Sequence, residues 1–312
     1  MTLHLTDLRA ERVDRRVGYV AAVAVTRCRR RGPALAGALV LAVLALVGAA
    51  CGSSGDDESG ATSAATVTTE EATTTSTPPS TTAPATFADG LVARWTDELG
   101  DAALAQSLVD GLGSDGVAQF EALVGLDAVF TDPLVAMAPP TVPDDEVDSL
   151  VVYAFGNRVA GDGTLSPGPV NEDLAQAVED FVAEHPVPVF AQWEVADLLA
   201  ETGVGDVTSI DPDTGPDGEV VYLSTAGVAE KAVTLAQQQG VDLGQVGVIG
   251  FQDHAVRCVL TSRAAGMTDA AVPEGVDLPS AYDPQSGQEW TRDRQTYLLT
   301  DLQGRLLAAQ QG

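Results

Sequence analysis

Between residues 150 and 272, short apolar runs alternate with segments in which apolar residues recur every three or four positions. Residues 150–155, 187–191, 207–210, 246–250 and 268–272 read as strands. Residues 171–184, 193–202, 224–239 and 253–265 read as helices. Successive side chains of a strand point to opposite faces, so a strand that is apolar throughout needs cover on both. Strands joined through helices run parallel, because the crossover returns the chain to the same end of the sheet. This order predicts an α/β domain over 149–312: a parallel sheet covered by helices on both faces. Trp290, Tyr297, Leu298, Leu302 and Leu306 predict a closing helix.

Upstream the period is helical. Leu91, Trp95 and Leu99 recur every four residues, as do Leu104, Leu108 and Leu112, and Phe120 with Leu123 and Val124 continues the pattern. Residues 113–116 (GSDG) punctuate it, and Pro139, Pro140 and Pro143 end it. Three short helices are expected over 87–140, as an N-terminal helical layer on the α/β domain.

Residues 1–50 are of another kind. They hold eight arginines and three acids, then a continuous apolar run, 33–50, that stops at Cys51. A basic region, an apolar stretch and small residues before a cysteine make a bacterial lipoprotein export signal, with Cys51 as the lipidated residue. Gly48-Ala49-Ala50-Cys51 resembles a lipobox, with Gly48 where Leu or Val is more usual. The alternative is an uncleaved membrane anchor, for which the run is just long enough. Under either reading the arginines stay inside and the rest of the chain lies on the extracytoplasmic face of the cell membrane. Residues 51–86 are nearly all Ser, Thr, Ala, Pro, Gly and acids, a composition that cannot bury a core. They predict a disordered tether with a reach of roughly 30 Å.

Residues 1–50 take eight of the 16 basic residues and three of the 45 acidic ones, leaving eight against 42. So acidic a domain repels nucleic acid and anionic headgroups. Cys28 precedes the apolar run, Cys51 is the expected lipid site, and Cys258 sits alone on an apolar helix, so no disulfide is expected within the domain. His185 and His254 with one cysteine do not make a Cys/His zinc site, and no metal is expected. No GxGxxG or Walker sequence occurs. Ser224 in LSTAG lacks the glycine of a nucleophile elbow, and residues 211–219 (DPDTGPDGE) carry Pro216 where a calcium loop needs glycine.

In open α/β sheets ligands bind beyond the carboxyl ends of the strands. Three corners answer to that position. The first is Gly156-Asn157-Arg158 with residues 162–167 (DGTLSP), including Ser166. The second is Gln192-Trp193-Glu194. The third is Gln252-Asp253-His254 with Arg257. Arg257 falls in a first helical turn, where the dipole disfavours a cation by ~0.3–1 kcal/mol. An anion bound at that corner would explain it, and Arg158 at a neighbouring corner points to the same pocket. His254 is the candidate acid or base, oriented by Asp253 or Glu194.

Two of these stretches carry a resemblance. VVYAFGNRVAGDGTLSP (151–167) and DHAVRCVLTSRAAGM (253–267) resemble the first-strand loop and the His/Arg helix of the YdcF-like domain-of-unknown-function family. That family is of the vancomycin high-temperature exclusion and envelope-biogenesis type, and the likeness extends through YDPQSGQEWTR (282–292). It implies a Rossmann-like fold, with Gly156, Asn157, Ser166, His254 and Arg257 lining the site. For one branch a nucleotide-type ligand such as S-adenosylmethionine has been suggested, so no cofactor is assigned. This chain departs from the family at three positions. Ala191-Gln192-Trp193 stands where members carry Ser-Gly-Gly, no base occurs at 171–173, and Glu230 replaces an expected Asn. The expected function is a lipid-anchored envelope protein binding a small anionic or phosphorylated ligand, in cell-wall or envelope biogenesis. Arg158, Arg257, Asn157, Ser166, Glu194 and Asp253 would serve binding, and His254 proton transfer. The alternative is a catalytically inactive Rossmann-like scaffold for protein–protein interaction.

Overall fold

The computed structural model describes residues 84–216 and 220–310; the expected export signal, Cys51 and residues 51–83 of the tether lie outside the described residues. Among the described residues, no helix is long and apolar enough to cross a membrane.

Four strands form the central sheet: β1 (Ser149–Val152), β2 (Val189–Gln192), β3 (Val207–Ile210) and β4 (Val246–Ile249). All neighbours are parallel, in the order β3-β2-β1-β4. The chain steps outward from β1 to β3 and then returns to the other side of β1. Alternate residues serve opposite faces, as the apolar runs require. Leu150, Val152, Val189, Ala191 and Ile249 belong to one buried cluster, and Val151, Phe190, Val246 and Val248 to another. The first cluster lies under α3 (Pro169–Glu184) and α4 (Trp193–Thr202), the second under α5 (Thr225–Gln239) and α6 (Ala255–Ala264). The domain is therefore α/β, with a parallel sheet flanked by helices.

Two expected elements differ in detail. The strand expected at 268–272 is mostly a turn: Gly266 has φ 107°, and the Ala270 N–H donates to the Met267 carbonyl at 3.0 Å. Only Ala271 bridges to Gly247, and the short β5 (Val272–Pro273) pairs with Thr141–Val142 instead. The polar corner at 252–254 is a 3-10 turn rather than the start of the α-helix, which begins at Ala255.

A third cluster joins α1 (Phe87–Leu99), α2 (Ala102–Val124) and the closing helix α7 (Arg294–Ala309). Helix α2 breaks at Gly113, with φ 66° and ψ 177°, inside the expected GSDG punctuation. Phe87, Leu91, Trp95, Leu108 and Phe120 meet Leu298 and Leu302 there. Trp290, expected in the closing helix, falls before it in the turn Glu289–Thr291.

Leu302 is fully buried where α7 meets α1 and α2, whereas Leu307 on the same helix is 59% exposed. Leu302→Ala is expected to cost about 2–5 kcal/mol, and Leu307→Ala less than about 0.5 kcal/mol. Urea unfolding midpoints of the two variants measure the difference; equal midpoints would mean that the third cluster does not hold α7.

Candidate functional site

Beyond the carboxyl ends of β1 and β2 the chain encloses a cleft of about 200 Å³. Its wall comes from residues 153–156 after β1, Gln192 at the end of β2, residues 222–225 at the start of α5, His254 and Arg257 of the corner after β4, and Gln288, Trp290, Thr291 and Tyr297. In a chain with 45 acidic residues this wall contains no carboxylate among the described residues. Two other hollows of the surface do: Glu179 and Asp206 line one, and Asp144, Asp180, Glu184 and Asp277 another. Among the described residues no group of three or more His, Cys, Asp or Glu stands ready to hold a metal ion.

The wall's charge is set by a residue that no sequence pattern singled out. Asp301 of α7 is completely buried, and two guanidinium groups close on it. Arg257 Nε donates to Asp301 Oδ1 at 2.6 Å, and Arg305 Nε donates to Oδ2 at 2.6 Å. Arg257 Nη2 also reaches the Tyr297 hydroxyl at 3.0 Å, and Arg305 Nη1 the Ala136 carbonyl at 2.5 Å. Burial alone would raise the Asp301 pKa, but Arg305 and Arg257 hold it well below the usual carboxylate range. Burial works against the Arg257 charge, yet Asp301 and Tyr297 keep it protonated. One negative charge thus stands against two positive ones. Asp301 is also the internal anion that offsets the unfavourable dipole at Arg257.

His254 is buried beside this cluster, with Nδ1 3.7 Å from Asp301 Oδ1, beyond hydrogen-bond reach. Burial and then the Arg257 charge push its pKa down to about 4, so the ring is neutral at pH 7. Tyr153, Phe155 and Tyr297 surround it at ring-centroid distances of 5.9–6.3 Å. A neutral imidazole on a cleft wall is able to hydrogen-bond a bound group, while burial and the neighbouring guanidinium work against its taking up a proton. Cys258, one turn on, is fully buried and its thiol is pushed well up, which leaves it protonated packing.

Of the expected site residues, the cleft brings together Gly156, His254 and Arg257. The others serve elsewhere. Arg158 forms a bidentate pair with Asp283 and donates to Gln285 Oε1 at 2.8 Å, so it does not share a pocket with Arg257. Ser166 pairs with Arg158 across an antiparallel hairpin and is exposed. Asn157 is buried, and its carbonyl accepts from the Gly287 N–H at 2.7 Å. The Asp253 carboxylate turns away from His254: it accepts from Arg294 Nε at 2.9 Å and from the Tyr282 hydroxyl at 2.8 Å. Glu194 is buried behind Tyr222, whose hydroxyl donates to Glu194 Oε1, while Oε2 has no hydrogen bond.

Structural duties explain the Gly-Asn motif. Gly156 has φ 68°, and a methyl group on it would stand 2.7 Å from Ser286 Oγ and 3.0 Å from Thr291 Oγ1. Its glycine lets the 283–292 loop close over β1. Asn171, fully buried on α3, fixes the same strand end: Oδ1 accepts from the Phe155 N–H at 2.9 Å, and Nδ2 donates to the Gly156 and Pro167 carbonyls. Gln192, where the resemblance expects glycine, fills the space under the cleft. Its Oε1 accepts from the Ala154 N–H at 3.2 Å and its Nε2 donates to the Tyr222 hydroxyl at 3.0 Å. Ser224 caps α5 by accepting from the Gly227 N–H at 3.1 Å. The first-turn amides beyond that cap have no intrahelical acceptor, and Ser224 and Thr225 line the cleft.

Compared with models of protein families, with curated proteins and with solved structures, the chain has no significant match.

Two buried groups give the stability opposite pH dependences. His254 has a folded value of about 4 against 6.5, so the unfolded chain takes up the proton first. Its contribution is complete above about pH 6.5 and is lost as pH falls toward 4, roughly 3 kcal/mol in all. Burial raises Glu194 to about 7 from 4.5, despite the Tyr222 hydrogen bond, so the unfolded chain releases that proton first. Stability therefore falls by roughly 3 kcal/mol as pH rises from 4.5 through 7. Glu194→Gln is expected to match the parent at pH 4.5 and to exceed it by up to about 3 kcal/mol at pH 8. Urea unfolding at the two pH values checks this, and a gap of the same size at both would refute the Glu194 assignment.

Proposed function

We propose that this protein binds a small anionic or phosphorylated ligand in the cleft beyond β1 and β2. One observation carries the reading: in a strongly acidic domain, the cleft wall has no carboxylate among the described residues, and behind it two guanidinium groups share a single aspartate. Buried charges are ordinarily paired, so one positive charge in excess favours an anion at the exposed side of Arg257. Arg257 keeps 23% of its side chain exposed, and its Nη1 makes no hydrogen bond among the described residues. Helix α5 begins at the same wall, and its first-turn amides and dipole add to the attraction. His254 would then stand within the pocket as a neutral hydrogen-bonding group.

The export signal read at residues 1–51 supports a lipid-anchored protein on the extracytoplasmic face of the membrane, with its ligand drawn from the envelope. A Rossmann-like, YdcF-like domain is the fold reading we favour. The strand order, with its reversal beside β1, supports it, as does the position of Gly156, His254 and Arg257 on one cleft. A non-catalytic scaffold is the second reading. It is favoured by Gln192, whose side chain occupies the space that glycines would leave for a phosphate beside the backbone.

Titration calorimetry on the detergent-solubilised full chain, with inorganic phosphate and glycerol 3-phosphate, separates the two. Arg257→Gln is expected to weaken binding by about tenfold or more, the scale of a lost charged hydrogen bond. Thr225→Glu should do the same while leaving the fold intact, because an acid in the first turn suits the helix dipole. Affinity unchanged in both variants, or no heat with the parent protein, would leave the scaffold reading.

A further inference from the structure

The anion end of the cleft is only half of its lining. Trp290 also lines it and is 48% exposed. The other two tryptophans are not displayed in this way: Trp95 is fully buried with Nε1 donating to the Val135 carbonyl, and Trp193 is half-buried. A large exposed indole is unfavourable in water and informative where it borders a cavity.

Its turn is firmly built. Ser286 Oγ and Thr291 Oγ1 lie 2.7 Å apart, Arg292 Nε donates to the Ser286 carbonyl at 2.7 Å, and the Gly287 N–H donates to the Asn157 carbonyl at 2.7 Å. Thr291 and Ser286 are buried against Gly156. The indole is therefore held at the cleft by bonded neighbours on both sides of it, with about half of its surface exposed. Tyr222 lines the cleft too, its hydroxyl tied to Gln192 and Glu194.

Size adds a constraint. The cleft is small, about 200 Å³. A phosphate and a few further atoms fill that space, so any larger group extends out to where the cleft opens to solvent. The exposed Trp290 ring is the surface such a group meets.

We infer that Trp290 is a ligand-stacking residue and that the ligand is a phosphate ester of a ring compound, its phosphate toward Arg257 and its ring against the indole. This rests on the anion-binding reading of the same cleft. A sugar and a nucleobase share the chemistry of a flat face next to a phosphate, and either face packs on an indole.

The test uses the full chain in detergent and three probes: glycerol 3-phosphate, which has no ring, glucose 1-phosphate and adenosine monophosphate. At least one ring-bearing probe is expected to bind about fivefold to a hundredfold more tightly than glycerol 3-phosphate, the range of a single stacked ring. Which of the two gains identifies the ring as sugar or base. In Trp290→Ala the gain disappears, whereas Trp290→Phe keeps most of it. Binding also changes the tryptophan fluorescence of the parent, and that change is absent from Trp290→Ala. A ring advantage that survives in Trp290→Ala, or no ring advantage in the parent, overturns the inference while phosphate binding through Arg257 stands. Failure of all three probes to bind the parent overturns the anion reading, and this inference with it.

Discussion

A single buried carboxylate, shared by two arginines, holds the cleft side of this domain together. Asp301 has no exposed surface, so its charge survives only because Arg257 and Arg305 both hydrogen-bond to it. The three groups come from two helices. Arg257 belongs to α6 on the sheet, Asp301 and Arg305 belong to α7, and Arg305 reaches on to the Leu134 and Ala136 carbonyls of the segment after α2. Removing the carboxylate would leave two guanidinium groups unpaired in a low-dielectric interior, at a cost of several kcal/mol. The same arrangement fixes where Arg257 points, and that guanidinium adds to burial in keeping His254 neutral, so the packing of the closing helix and the electrostatics of the cleft are linked.

The glycine and asparagine of the first corner act on the cleft indirectly. Gly156 and Asn157 seat the 283–292 loop, and Asn171 ties down the strand end from the helix side. Arg158 continues this work through Asp283. These residues therefore shape the wall on which Trp290 and Thr291 stand. A substitution at Gly156 acts on the cleft by displacing that loop, because the added carbon meets Ser286 and Thr291 before anything bound.

The central architecture was legible because both faces of the sheet are buried. Strands that are apolar at every position announce themselves, and β3 and α4 begin and end at the residues the pattern picks out. The last strand was less legible: Thr268 and Asp269 belong to a turn that the apolar count of 268–272 absorbs. At the site, His254 and Arg257 could be found because a strand feeding a helix start forces its corner residues toward the crevice. The fate of the other charged candidates could not. Arg158 meets a carboxylate 125 positions away, Asp253 an arginine 41 positions away, and Arg257 an aspartate 44 positions away, and no local pattern encodes such pairings. Asp301 itself sits in a helix whose sequence reads as an ordinary amphipathic closing element. A buried acid on its apolar face was the available signal, since Tyr297, Leu298, Leu302 and Leu306 bracket it.

The distribution of the cations bears on what affinity the cleft is able to reach. All eight basic residues after residue 50 have an internal partner: Arg94 holds Glu98, Arg158 Asp283, Lys231 Asp213, Arg292 Glu289 and Arg294 Asp253, Arg257 and Arg305 share Asp301, and Arg263 donates to the Ala270 carbonyl. The surface field beyond them is negative, and it opposes an approaching anion over about a Debye length. Attraction at Arg257 would therefore be local, felt only by a ligand inside a wall that has no carboxylate among the described residues. A bare anion gains less under those conditions, because the long-range repulsion offsets part of a single contact. A ligand that also buries an uncharged face against Trp290 adds a contribution the field does not touch. Under the proposed reading, an acidic domain in which two guanidinium groups share one buried carboxylate is better suited to an amphipathic phosphate ester than to a small free anion.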